Sequence, residues 1–309
     1  MKKQKAKNSI FKSGYVAFLG NPNVGKSTLL NHFLKEKLSI ISEKPQTTRD
    51  AILGILSEDD FQIIFVDTPG VHKPKTELGK HMVKSAITAG EDADIVILVI
   101  DAEDGITQAD QHLFNTVKTK KILQTCAWSA VLVNKIDLVD KKEVFKLLDI
   151  CSKQAGFADY IPVSAKTGIN CDLVLEKIKS YLPEGPELFP KDQLTDRNER
   201  FVVSEIIREK ALELCRQEIP HSVAVEVHKF EDNPGRKTLI QATVFLEREA
   251  QKKILIGRSG QMLKKIGSLA RISIEKFVQK QVYLELWVKV QPDWRKDQAF
   301  LKRLGYEKK

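Results

Sequence analysis

The sequence predicts two domains of different class in one chain. A mostly parallel, doubly wound α/β sheet domain occupies residues 1–182, a linker spans 183–200, and a smaller α+β domain fills 201–309. Three observations support this. Continuous apolar runs of strand length alternate with helical periodicity through the first part, the pattern of a parallel sheet covered on both faces. Pro183, Gly185, Pro186 and Pro190 then interrupt all periodicity. Beyond them the order becomes α-β-β-α-α-β, and the charge changes too. Residues 1–200 hold 28 Lys and Arg against 27 Asp and Glu, a net of +1; residues 201–309 hold 22 against 14, a net of +8. A basic domain beside a neutral one points to a phosphate-rich partner, either nucleic acid or an anionic membrane surface.

In chain order, strands are expected at Tyr15–Leu19, Ala51–Leu56, Gln62–Val66, Ile95–Ile100, Ala130–Val133 and Tyr160–Val163. Helical patterns lie between them, among them Lys26–Leu34, Gln108–Lys118 and Glu143–Gln154. After the linker, Phe201–Arg216 reads as an amphipathic helix. Ser222–Phe230 alternates with Val223, Val225 and Val227 on one face, and turn residues Asp232–Gly235 lead to a strand at Lys237–Leu246. Helices at Glu249–Ile256 and Gln261–Gln279 precede a last strand, Val282–Val290. Pro292–Gly305 reads as a short tail around Trp294.

Composition excludes several classes. Cys126, Cys151, Cys171 and Cys215 are far apart, so no zinc knuckle or redox pair is expected, and a reducing cytoplasm is the default compartment. The six histidines lack ligand spacing. The strongest apolar run, Ile95–Ile100, is strand length, far below the roughly 18 residues of a membrane-spanning helix. The lysine-rich start is too short in apolar content for a signal peptide.

Four motifs carry the chemistry, each at the carboxyl end of an expected strand, where ligands bind on such sheets. Gly20-Asn21-Pro22-Asn23-Val24-Gly25-Lys26-Ser27 fits G-x-x-x-x-G-K-[ST] between a strand and a helix. Its glycines let successive N–H groups face phosphate oxygens, and the helix adds its positive end. Lys26 is expected on the β and γ phosphates and Ser27 on Mg²⁺. Asp67-Thr68-Pro69-Gly70 offers a carboxylate to Mg²⁺ and the Gly70 N–H to the γ-phosphate. Asn134-Lys135-Ile136-Asp137 selects the base. A carboxylate only accepts hydrogen bonds, and guanine presents two donors on one edge where adenine presents no such pair. Asn134 is expected to tie this loop to the phosphate loop, and the Lys135 stem to cover the base. Ser164-Ala165-Lys166 would give the Ala165 N–H to the guanine carbonyl. The set implies GTP and GDP as ligands, with Mg²⁺.

These motifs resemble those of translation-factor-type GTPases, and Lys44-Pro45-Gln46-Thr47-Thr48-Arg49-Asp50 resembles the corresponding loop of the Era-like family. The resemblance implies an α/β P-loop GTPase domain in which Thr48 is the switch threonine on Mg²⁺, with Thr47 the alternative. Related enzymes place a water-orienting Gln after Asp-x-x-Gly; here that position is Val71, followed by His72. Hydrolysis is therefore expected from positioning and charge, through Mg²⁺, Lys26 and backbone. The Era-like group commonly adds K⁺, held partly by the asparagine matching Asn23.

In the C-terminal part, Gly257-Arg258-Ser259-Gly260 is a Gly-x-x-Gly loop joining two helix patterns. The α-β-β-α-α-β order around it resembles a type II KH domain, whose loop clamps about four nucleotides of single-stranded RNA. Arg258, Lys264 and Lys265 would supply charge, and Ile254 and Ile256 are candidates for the floor of the base groove. GTPase, Pro-rich linker and KH-type domain together resemble the Era-like family over nearly the whole chain. That resemblance implies binding near the 3′ end of 16S ribosomal RNA, a role in 30S subunit assembly and peripheral inner-membrane association; a cytoplasmic monomer with no DNA partner is expected beside it. Two other readings stay open: a switch at an anionic membrane surface, and a regulator of a protein partner.

Overall fold

A computed structural model describes residues 10–40, 48–71, 76–154, 156–215, 222–232, 235 and 237–306. Thr47, His72 and part of the turn at 232–235 lie outside the described residues. Contacts divide the chain into two units. One comprises Met1–Lys37, Ala51–Thr68 and Ala86–Asp196; the other Leu38–Asp50, Pro69–Ser85 and Arg197–Lys309.

The first unit is built on a six-stranded sheet: β1 (Lys12–Gly20), β2 (Ile52–Ser57), β3 (Phe61–Asp67), β4 (Ile95–Asp101), β5 (Trp128–Asn134) and β6 (Asp159–Pro162). The strand order is β2-β3-β1-β4-β5-β6. Only β2 runs antiparallel to its neighbour; the others pair in parallel. Every residue of β3, β4 and β5 is buried, as expected when helices cover both faces. The helices are α1 (Lys26–Leu34), the C-terminal part of α2 (Glu77–Glu91), α3 (Gln108–Thr119), α4 (Lys141–Ser152) and α5 (Cys171–Tyr181). Phe33 of α1 stacks on Phe65 at 5.3 Å, and Phe65 on Phe18 at 5.6 Å, fixing α1 over β1 and β3.

The proline-rich stretch differs from the expected linker: as far as Asp196 it belongs to the first unit. Ser13 N–H donates to the Pro183 carbonyl, Gly185 N–H to Phe11, and Ile55 N–H to Leu194. The buried Gln62 side chain accepts from the Leu188 and Phe189 N–H groups and donates to the Phe189 carbonyl. Prolines forbid helix here, but the remaining backbone groups still find partners along the sheet domain.

The second unit contains α6 (Glu199–Leu214), β7 (Ala224–Glu231), β8 (Thr238–Leu246), α7 (Glu249–Ile256), α8 (Gln261–Val278), β9 (Val282–Val290) and α9 (Gln298–Arg303). Its sheet is ordered β7-β8-β9, with β7 antiparallel and β9 parallel to β8. One face packs on the helices, joining Val203 and Ile207 of α6, Ile266 and Ile274 of α8, and Ile240, Ala242 and Val244 of β8. The expected tail after Pro292 is instead a second small core. Trp294, Phe300, Leu301 and Tyr306 pack with Leu78, Met82, Ala224 and Phe245. Trp294 is fully buried, and its Nε1–H donates to the Ser222 carbonyl at 2.8 Å. Isolated apolar residues after a proline gave no periodicity from which this could be read.

Candidate functional sites

In the first unit the phosphate loop runs from the end of β1 into α1. No side chain caps the α1 N-terminus, where Gly25 has φ 100°. Backbone N–H groups at such an end favour an anion. A Cβ at Gly25 would lie 2.1 Å from Asn134 Nδ2, so only glycine fits. Asn23 is exposed at the turn of the loop with φ 67°, and Pro22 is half-buried beside it. Lys26 is buried, its Nζ donating to the Gly20 carbonyl at 3.0 Å and the Asn21 carbonyl at 2.8 Å. Burial lowers its pKa to about 8, against the pull of the Asp67 carboxylate. Asn21 Nδ2 donates to Asp110 Oδ1 at 2.6 Å, which fixes the loop to α3.

Ser27 Oγ donates to Asp67 Oδ2 at 2.7 Å. A hydroxyl and a carboxylate in contact form the hard oxygen donor set that Mg²⁺ takes, so the residues present fit this ion. Thr68 Oγ1 donates to the Phe18 carbonyl, holding the end of β3 to β1.

The loops expected to read the base follow β5 and β6. Asn134 Nδ2 donates to the Val24 carbonyl at 2.8 Å, joining this loop to the phosphate loop. The Ala165 N–H donates to Asn134 Oδ1 at 2.9 Å, so this donor, expected for the guanine carbonyl, is engaged within the protein. Asp137 is exposed, and its Oδ1 accepts from Ser164 Oγ at 2.6 Å. That bond orients the carboxylate while leaving it acceptor capacity. Lys135 has φ 64° and its ammonium pairs with Asp101. Asp101 escaped the sequence reading. Its signal is register: it ends β4 directly beside Asn134 on β5. Ile136 is half-buried and Lys166 exposed.

Thr48, Pro69, Gly70 and Val71 are buried and fall by their contacts in the second unit. The side chain of Val71 is apolar, so it holds no general base. Arg49, beside Thr48, is buried in that unit. Its guanidinium donates to the Val223 carbonyl at 2.6 Å and lies 5.3 Å from the Trp294 ring centre.

Also in the second unit, α7 ends at Gly257 (φ 72°), and Ser259 and Gly260 both take left-handed backbone before α8. A Cβ on Gly257 would sit 2.6 Å from Met262 Cβ, whereas one on Gly260 would meet nothing within 4 Å. Gly257 is thus required by the fold, while Gly260 keeps the loop surface open. Arg258, Ser259, Lys264 and Lys265 are exposed. Beside the loop an open groove of about 440 Å³ runs between α8 and the edge strand β9. Leu263, Leu284 and Leu286 give it an apolar lining, and Lys237, Lys264 and Arg271 give it charge. Gly260 and Lys264 line it; Lys265 does not. The groove floor corrects the expectation for Ile254 and Ile256: Ile254 is 53% exposed, neither residue lines the groove, and Leu255 between them enters the core. Arg271 was missed, although Lys264 and Arg271, seven apart, share one face of a helix. Among the described residues, no cluster of His, Cys, Asp and Glu could hold a metal by itself, and no helix is long and apolar enough to cross a membrane.

Comparison with known proteins finds both kinds of domain. The family described as "50S ribosome-binding GTPase" matches residues 15–135, and the KH domain family matches residues 218–295. GTPase Era of Clostridium botulinum is 46% identical over 299 residues, 97% of this chain and 99% of that protein. GTPase Era of Clostridium beijerinckii is 46% identical over 298 residues, 96% and 98% of the two chains. A crystal structure of Era with MgGDPNP and nucleotides 1506–1542 of 16S ribosomal RNA superimposes with a TM-score of 0.91 at 42% identity, covering 96% of this chain and all of that one. A variant of Aquifex aeolicus Era bound to GDP and AlF₄⁻ gives the same TM-score, identity and coverage.

Proposed function

The chain belongs to the Era family of GTPases, and we propose that its GTP hydrolysis switches a single-stranded RNA clamp that holds the 3′ end of 16S ribosomal RNA during 30S subunit assembly. The observation that carries this is the Gly-x-x-Gly loop opening onto a charged, apolar-lined groove in a chain that also holds a guanine-nucleotide site. The RNA bound by a similar structure supports the choice of strand.

At the nucleotide site, Ser27 and Asp67 would hold Mg²⁺, and the family resemblance would add Thr48 (or its neighbour Thr47) in the GTP state. Bound Mg²⁺ neutralises charge on the β and γ phosphates. Lys26 gives up its carbonyl partners for phosphate oxygens, and the Gly70 N–H meets the γ-phosphate. Asp137 accepts from the guanine edge, with Asn134 and Ser164 bracing it. Lys135 covers the base, and Ala165 shares its N–H with the guanine carbonyl. With Val71 following Gly70, the protein contributes positioning and charge, so intrinsic turnover should be slow. Asn23 offers its carboxamide oxygen to K⁺. Replacing Na⁺ by K⁺ should raise turnover, and equal rates in both salts would remove that role.

The site of action is the cytoplasm and the working form a monomer. Peripheral contact with the inner membrane is carried by the family resemblance, beside the basic charge of the C-terminal domain. The test is binding of a labelled 16S 3′-end oligonucleotide to wild type and to Gly257→Asp/Gly260→Asp. Gly260→Asp alone is the cleaner variant, because its side chain meets no protein atom within 4 Å at Cβ. Loss of binding at unchanged GTP turnover supports the clamp. Binding to anionic vesicles but to no RNA would replace it with a membrane-surface switch.

A further inference from the structure

The sheet of the second unit has a face that α6, α7 and α8 do not cover. Strand alternation sends Val282, Leu284, Leu286 and Val288 to the helix-packed core, and so Tyr283, Glu285, Trp287 and Lys289 to the other side. On β7 the same alternation turns Ala224 and Glu226 that way, and His228 joins them at an irregularity between Val227 and Lys229. The small core around Trp294 covers only one end of this face, at Ala224 and Phe245. The remainder forms an open depression of about 410 Å³. Trp287 is 43% exposed within it, and the His228 ring lies 5.7 Å from the indole, inclined by 34°. Lys289 and Arg303 border the depression. Arg303 is held in place by a two-pronged pair with Glu226 and lies over Phe245 at 5.7 Å.

We infer that this face is a second single-stranded RNA contact, in which an unpaired base of the strand leaving the Gly-x-x-Gly groove stacks on Trp287. The inference rests on the RNA reading above and extends it. A flat π surface flanked by cations is the equipment of sequence-tolerant single-strand binding, and an open sheet face bearing aromatics serves RNA in other folds. Continuity selects the occupant. Strand β9 is an edge strand whose Leu284 and Leu286 line the groove, while Tyr283 borders it from the opposite face and is 55% exposed. Trp287 lies four residues further on the same face as Tyr283, about 13 Å along the strand. A chain clamped in the groove thus reaches Trp287 by rounding one strand. A Gly-x-x-Gly clamp holds about four nucleotides, whereas the RNA bound to a similar structure runs from 1506 to 1542, so most of such an RNA lies beyond the clamp. Lys289 receives the phosphate of the stacked nucleotide, with Arg303, paired to Glu226, beside it.

Tryptophan fluorescence reads this directly. Of the three tryptophans, Trp128 and Trp294 are buried, leaving Trp287 as the accessible one. The full chain, loaded with a non-hydrolysable GTP analogue, is titrated with a short oligonucleotide filling only the groove and with the same sequence extended on both sides. The extended RNA should quench the fluorescence and bind roughly tenfold more tightly, the worth of about one stacked base. Trp287→Leu should abolish that gain, leaving the short oligonucleotide's affinity and GTP turnover unchanged, and His228→Ala should reduce it. Equal affinity of wild type and Trp287→Leu for the extended RNA, with no quenching in wild type, would overturn the inference and leave the face to a protein partner. Failure of wild type to bind either RNA would remove the RNA reading itself, and this inference with it.

Discussion

Gly25 in the first unit and Gly260 in the second both take left-handed backbone, with φ 100° and 76°, yet their surroundings are opposite. Around Gly25 everything is closed: Asn134 fills the space a side chain would need, and Asn134 in turn is bonded to Val24 and Ala165. Around Gly260 nothing lies within 4 Å. The nucleotide loops are a locked polar network at the ends of buried strands, suited to one ligand of fixed geometry. The groove is a shallow exposed surface, suited to a flexible strand held through charge and close backbone approach. Selectivity in the first would come from unpaired partners when the wrong base binds, and in the second from contact accumulated along a chain.

The comparison can be broken most sharply at the base-reading carboxylate. Asp137→Asn should weaken GTP binding by roughly 100-fold or more, since the amide presents donors to guanine donors. It should gain affinity for xanthosine triphosphate, whose 2-carbonyl accepts. Nucleotide competition measures both, and unchanged guanine preference would place selectivity elsewhere. Next come the two glycines. Gly25→Ala should cost about 1–3 kcal/mol of stability from backbone strain alone, and more if Asn134 cannot yield, with nucleotide affinity falling alongside. Gly260→Ala should leave the groove architecture and GTP affinity intact, with only its own backbone strain. Thermal melts with and without GDP separate the two.

Arg49→Ala tests the second unit itself. It removes a donor from the Val223 carbonyl and a cation from the Trp294 face, and should cost about 2–3 kcal/mol in denaturant unfolding. A neutral effect would mean that this contact is incidental. The smallest expected effect concerns the thiols. Burial lifts Cys151 and Cys171 to about 11, so at pH 8 both remain protonated. Only Cys126, half-buried and also raised by burial, should react slowly with a thiol reagent before unfolding.

The sequence made the sheet domain legible because its strands are buried on both faces and read as continuous apolar runs. Its motifs were legible because phosphate and guanine demand particular residues at particular strand ends. Other features depend on neighbours that periodicity does not name. Lys237, Arg271 and Tyr283 come to one groove from three elements. The engagement of the Ala165 N–H by Asn134, the hydrogen bonds of the proline-rich stretch to the sheet domain, and the core around Trp294 are all long-range pairings. Helix periodicity located α7 but did not tell Leu255, in the core, from Ile254, in solvent.

The proposed function couples nucleotide state to RNA grip. The most direct measurement is the affinity of the 16S 3′-end oligonucleotide for the full chain loaded with GDP and, separately, with a non-hydrolysable GTP analogue in Mg²⁺ and K⁺. The account predicts binding at least about fivefold tighter in the GTP-analogue state, the lower range of typical coupling energies, with the RNA tightening GTP-analogue binding by the same factor. Equal affinity in the two states would contradict the switch, even if both domains bind their ligands.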